Sequence, residues 1–154
     1  MRRLYVIHPR KVLNTALLAG VLGLAGCSQP TELPLSDGEP LIWEDLRGEW
    51  VFVNYWAEWC KPCYEEIPEL NELNQEPGIT VLGVNFDGEQ GESLRQVMND
   101  MGIEFQVFQQ DPGPGFGWDK PLALPATMVI NPEGELTQAI FGEQTKAEFM
   151  QATE

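Results

Sequence analysis

The sequence predicts an α/β domain, a central mixed β-sheet with helices on both faces. Three observations lead there. β-Branched and aromatic runs alternate with charged, helix-like stretches in the order strand, helix, strand, helix, strand, hairpin, helix. The run Trp50-Val51-Phe52-Val53-Asn54-Tyr55 is almost wholly β-favouring, as suits a strand buried on both faces. And 154 residues, 43% of them apolar with five tryptophans, suffice for one domain with its own core.

The chain opens with a segment that reads as targeting rather than structure. A basic start from Met1 to Lys11 precedes an apolar run from Val12 to Ala25, the length of a signal core and short for a bilayer span. It ends in Leu24-Ala25-Gly26-Cys27, which resembles the lipobox of bacterial lipoproteins. That resemblance implies cleavage before Cys27 and lipidation of Cys27, with several acyl chains giving stable membrane anchoring. Residue 28 is serine and not the aspartate of inner-membrane retention, which implies an outer-membrane anchor facing the periplasm. Residues 1–26 are therefore expected to be a signal peptide.

Residues 27–40 are expected to be the lipidated cysteine and a flexible tether. The stretch from Ser28 to Pro40 is proline-rich and polar, with neither helical nor strand period. The folded domain is then expected over 41–154. A short extended piece lies around Leu41 to Trp43, and Asp45 to Gly48 reads as a turn into the strand from Trp50 to Tyr55. Cys60 to about Gln75 reads as a helix with Pro62 in its first turn and Pro68 inside, where it should kink the chain. Ile79 to Phe86 is a second strand. Gly91 to Met101 is a helix with Leu94, Val97, Met98 and Met101 on one face, stopped by Gly102. Glu104 to Gln109 is a third strand, and 111–118 a loop or short helix. Ala126 to Ile130 and Leu136 to Phe141 form a hairpin about Asn131-Pro132-Glu133-Gly134, and Thr145 to Ala152 is the last helix.

Charge and histidine content exclude several functions. From Cys27 onward five bases face all 24 acids, a balance of −19. Such a surface repels phosphate backbones, so no nucleic-acid partner is expected. The one histidine, His8, lies in the leading segment, leaving the domain without histidine-dependent triads or histidine-ligated metal sites.

Chemistry concentrates where the first long strand meets the first helix. Cys60 and Cys63 stand three residues apart there. The thiolate is the reactive form of cysteine, and a helix N-terminus favours negative charge, so Cys60 is expected to be exposed, acidified and nucleophilic. Cys63, one turn inward, would resolve the mixed disulfide that Cys60 makes with a substrate. With Cys27 acylated, these two are the remaining cysteines of the chain. A stapling disulfide between adjacent turns constrains little chain entropy, which counts against a structural role. The alternative is a Cu(I)-binding module for metal delivery that uses the same dithiol. A closed zinc site lacks ligands, and neither a bound metal nor a cofactor is expected. Glu66 lies on or near the face of the cysteines, where a partly buried carboxylate would move a proton; the alternative is one more solvated acid on an acidic helix.

Trp56-Ala57-Glu58-Trp59-Cys60-Lys61-Pro62-Cys63 resembles a thioredoxin active site, with lysine where thioredoxin has glycine. Together with Leu46-x-Gly48, Glu66-x-Pro68 and Leu124-Pro125-Ala126-Thr127, it resembles the TlpA/ResA-like membrane-anchored thiol–disulfide oxidoreductases over residues 41–152. The resemblance implies a thioredoxin fold and a disulfide reductase acting on exported proteins, recharged by a membrane electron donor. It implies that Cys60 and Cys63 form the redox-active disulfide and that Glu66 serves them catalytically. It further implies a cis-proline at Pro125, with Leu124 offering its backbone to an extended substrate. Trp59 and Pro62, either side of Cys60, are read as part of a docking patch; for Trp59 the alternative is simple packing under the active-site loop. Asn54 stands where thioredoxin has a buried aspartate, which leaves the proton work to Glu66. Ala57, three residues before Cys60, lacks the hydroxyl that the peroxiredoxin type needs there.

Overall fold

The computed structural model describes residues 29–154; the expected signal peptide, 1–26, and Cys27 lie outside the described residues. Five strands make the main sheet: β3 (Trp50–Trp56), β4 (Ile79–Asn85), β5 (Gln106–Phe108), β6 (Ala126–Ile130) and β7 (Leu136–Phe141), after an N-terminal pair β1 (Glu32–Pro34) and β2 (Pro40–Ile42). The sheet order is β5-β4-β3-β6-β7. β3 pairs in parallel with β4, and β4 with β5, while the β3–β6 and β6–β7 pairs are antiparallel. The sheet is mixed as expected. β3, the most apolar run, lies at its centre with every residue from Val51 to Trp56 buried, because both of its faces are covered.

One face carries α1 (Lys61–Leu73), α2 (Gly91–Met101) and α4 (Lys146–Gln151). Their buried residues, among them Ile67, Leu70, Leu94 and Phe149, form one core with Phe52, Trp56 and Val81 of the sheet. Gly83 of β4 is required beneath Trp56, since a Cβ there would stand 2.8 Å from the indole nitrogen. The helix of the 111–118 segment is the single turn α3 (Gly113–Phe116). It helps to cover the opposite face, where a 3₁₀ turn at Trp43–Leu46 sets Trp43 against Phe116 at 4.6 Å. Helices thus flank both faces, but on the second they are single turns.

The segment read as a tether is in fact structured from residue 31. β1 and β2 pair antiparallel, Leu35 and Ser36 are buried, and the Ser36 N–H donates to the Val107 carbonyl at 2.8 Å. The domain therefore begins about ten residues earlier than expected at Leu41. Composition misleads here because the prolines sit at strand ends, while Leu33 and Leu35 supply the apolar contact.

α1 follows the sequence closely. Pro62 occupies its first turn, and Pro68 is carried within it without an N–H to give. α2 matches its expected span and ends at Gly102 in the left-handed conformation. α4 is held by a capping box between Thr145 and Glu148 and by Phe149, whose ring meets Phe52 edge-on at 5.7 Å. Among the described residues no helix is long and apolar enough to cross a membrane.

Candidate active site

β3 ends at Trp56 and α1 begins at Lys61, leaving Cys60 as the residue before the helix, in extended conformation. Its N–H donates to the Ala57 carbonyl and its own carbonyl accepts from the Cys63 N–H, each at 3.1 Å. This tight junction follows from a buried strand running straight into a helix whose second residue, Pro62, has no N–H to satisfy. Cys60 and Cys63 are joined by a disulfide with their Cα atoms 5.3 Å apart. The expected exposure of Cys60 is corrected: it is 3% exposed and Cys63 1%. Both cysteines belong to the buried apolar cluster that includes Trp56, Ala57 and Ile67, against which Leu124 also packs. α1 has no acid in its first turn, and its free N–H groups favour negative charge on sulfur once the pair is reduced. The Lys61 side chain is exposed.

Glu66 lies one turn beyond Cys63 on the buried stripe of α1, between Cys63 and Leu70, and is 1% exposed. One carboxyl oxygen accepts from Asn54 Nδ2 at 2.8 Å and the other from the Gln144 N–H at 3.0 Å. Burial pushes its pKa up to about 7 against these two donors, with Glu143 adding repulsion. Such a carboxyl exchanges its proton near neutrality, which is what a base serving a buried thiol requires. The solvated-acid alternative does not survive this burial.

The outer side of the junction is built by Trp59, which is 64% exposed. Its indole N–H donates to both Asp87 oxygens, at 2.9 and 3.2 Å, and its ring stands edge-on to Phe86. The Lys120 ammonium caps the other side of this arrangement, donating to the Phe86 carbonyl at 2.8 Å and lying 4.0 Å from the Phe86 ring centre. Pro62 is half-buried, and the Leu124–Pro125 bond is cis. The Pro125 carbonyl accepts from the Gly142 N–H at 2.9 Å, fixing the proline loop to the end of β7. An open apolar hollow of about 410 Å³ lies over β7, lined by Trp118, Leu122 and Phe141 among others; neither cysteine nor Glu66 reaches it. Among the described residues no group of His, Cys, Asp and Glu is placed to hold a metal ion.

Sequence reasoning missed Thr127, Gln144, Asp87, Phe86 and Lys120 as neighbours of the site. Asn54 faces Thr127 directly across the antiparallel β3–β6 pair, and its Nδ2 donates to Thr127 Oγ1 at 2.9 Å. One signal for this cluster was legible: Asn54 is the polar interruption of an otherwise apolar buried strand, as Glu66 is of an otherwise apolar helix stripe. Thr127 is likewise the one polar residue of the buried strand β6, but nothing in the sequence pairs it with Asn54, and the Gln144 N–H carries no such mark.

Comparison with known proteins agrees with this geometry. The AhpC/TSA family profile matches residues 28–139. The chain is 33% identical over 113 residues to the thiol-disulfide oxidoreductase ResA of Bacillus anthracis, covering 71% of this chain and 65% of that one. It thus spans somewhat less than two thirds of that relative. It is 29% identical over 140 residues to ResA of Bacillus subtilis, covering 88% of this chain and 78% of that one. Among solved structures it resembles the exposed lipoprotein thioredoxin of Streptococcus pneumoniae, with a TM-score of 0.64 and 26% identity over 80% of this chain and 97% of that one. The fold is thioredoxin-like, as the sequence resemblance implied.

Proposed function

Since the chain belongs to the AhpC/TSA family, we propose that it is a thiol–disulfide oxidoreductase working through Cys60 and Cys63, and specifically a reductase of disulfides in exported proteins. The observation that carries this reading is the disulfide at the mouth of α1 with a buried, neutral-titrating carboxyl one turn behind it.

In the reduced protein the Cys60 thiolate attacks one sulfur of a substrate disulfide. The Cys60–substrate bond forms, and the first substrate thiolate leaves to take a proton from solvent. The Glu66 carboxylate then accepts the Cys63 thiol proton, and the Cys63 thiolate attacks Cys60 Sγ. The Cys60–Cys63 bond forms, the second substrate thiolate departs, and two electrons have passed to the substrate. A membrane dithiol donor restores the pair. Trp59, Pro62 and the Leu124–Pro125 loop form the docking edge, where the substrate backbone would meet Leu124. Cys27 carries the lipid anchor, placing the domain in the periplasm at the outer membrane. Ala57, which has no hydroxyl to offer a peroxide, favours disulfide exchange over thiol peroxidase chemistry within this family.

Cys63→Ser tests the reading directly. It should trap periplasmic proteins on Cys60 as mixed disulfides, and Cys60→Ser should trap none. If Cys63→Ser captures nothing while the reduced wild type binds Cu(I) tightly, the dithiol is a metal carrier and the reading fails. Direction is read from the equilibrium of the pair with glutathione: a potential as high as about −120 mV, that of a strong oxidant, would make the protein an oxidase.

A further inference from the structure

The surroundings of Glu66 contain a conflict that the exchange reaction must resolve. Both carboxyl oxygens accept hydrogen bonds, from Asn54 Nδ2 and from the Gln144 N–H. That arrangement suits a carboxylate. A protonated carboxyl in the same place holds a hydrogen that neither donor can accept, and an unmet polar group at this depth costs about 1–3 kcal/mol. The Gln144 N–H is backbone and cannot turn. The Asn54 side chain can, because its two ends have nearly the same shape and opposite hydrogen-bonding character.

Two further details fit such a turn. Asn54 Nδ2 serves Glu66 and Thr127 together, while its Oδ1 is buried without a partner among the described residues. The second partner, Thr127 Oγ1, is a hydroxyl, which accepts in one state and donates in the other by rotating its hydrogen alone. A lysine or a backbone carbonyl at that place would have locked the amide one way.

We propose that Asn54 is a positioning residue whose side-chain amide turns end for end with the charge of Glu66, with the Thr127 hydroxyl following it. With Glu66 ionised, Nδ2 faces the carboxylate and Thr127. When Glu66 takes the proton of Cys63, Oδ1 faces them instead and accepts from both the carboxyl O–H and the Thr127 O–H. No bond other than the S–H and O–H of that transfer is made or broken. The other groups facing Glu66 leave this role to Asn54. Glu143 on the β7–α4 loop only repels, and Glu69 on α1 accepts from the Lys146 N–H. The Lys146 ammonium is paired with Glu76, and Cys63 is the proton source. The inference rests on the proton-handling role proposed for Glu66.

The test is nuclear magnetic resonance of the oxidised protein across neutral pH, following the Glu66 carboxyl carbon and the Asn54 amide protons. Both should titrate with one midpoint, and the cross-relaxation between Nδ2 protons and the Thr127 side chain should fade as Glu66 protonates. In Glu66→Gln the Asn54 signals should stop titrating. Asn54→Leu removes the donor to the carboxylate and the acceptor for the carboxyl alike, so proton binding to Glu66 should change by much less than the roughly tenfold tightening expected of an amide that only donates. A full tenfold shift, in the Glu66 titration or in the pH profile of disulfide exchange, would mark an amide that does not turn and would overturn the inference. Asn54 signals that stay fixed while Glu66 titrates, or that shift with undiminished cross-relaxation to Thr127, overturn the inference. These resonances are read without disulfide exchange. A dithiol inert toward disulfides would sink the proposed function and leave the amide turn to be judged by itself.

Discussion

Glu66 holds its proton more tightly in the folded chain than in the unfolded one, since burial raises its pKa from 4.5 to about 7. Between those values the native state binds more protons, so stability falls as pH rises through that window and stays lower above it. Below 4.5 both states are protonated and the effect vanishes. The difference corresponds to roughly 3 kcal/mol at most. Glu66→Gln should therefore raise the melting temperature above neutral pH, leave it unchanged in acid, and flatten the profile between. A variant no more stable than wild type at high pH would show that Glu66 bears no such burden. The same substitution should slow disulfide exchange, because Gln cannot accept the Cys63 proton. The cysteines and Glu66 were legible in the sequence because they lie within seven consecutive residues, on one turn and a half of one helix. Thr127 and Gln144 were not, since they reach Asn54 and Glu66 respectively from 73 and 78 residues away along the chain. The burial of Cys60 is a matter of the same range: it joins a cluster drawn from the sheet, α1, α2 and α4, which the residues around it in the chain do not announce.

At the scale of elements, α4 shows how a short helix acquires a definite place. Six residues make a marginal helix in isolation, so its position comes from docking. Phe149 is fully buried against Phe52, and the Glu69 carboxylate accepts from the Lys146 N–H at 2.7 Å. Phe149→Ala should cost about 3–5 kcal/mol in urea unfolding. It should also loosen the Gln144 N–H from Glu66, so the variant's Glu66 titrates higher than in wild type. An unchanged titration would mean that the 142–145 segment holds its place without α4. β4 offers a second test. Gly83→Ala would drive a methyl within 2.8 Å of both the Trp56 indole nitrogen and a Val107 methyl. We expect a loss of about 1–3 kcal/mol from overpacking; a neutral result would mean that the Trp56 ring moves freely.

For the whole molecule, the N-terminal hairpin belongs to the domain and not to its tether. It seats Leu35 against the sheet face that α3 and the 3₁₀ turn cover only in part. A chain beginning at Leu41 should be less stable than one beginning at Gln29 by at least about 2 kcal/mol, the burial of one leucine. Equal urea midpoints would return the hairpin to the status of a linker. The five strands of the main sheet, the three longer helices, the sheet's mixed character and the dithiol junction were determined by the sequence alone. Each depends on periodicity, propensity and capping within one short stretch, and interactions of that range are written locally. Only the tertiary structure decided that residues 32–42 fold back as a hairpin and that Cys60 is covered. Asn54 and the Gln144 N–H likewise converge on Glu66, and Thr127 on Asn54, only in the folded chain. Burial is a property of everything that surrounds a residue, and the β3–β6 register that sets Asn54 opposite Thr127 exists only once strands far apart in the chain have paired.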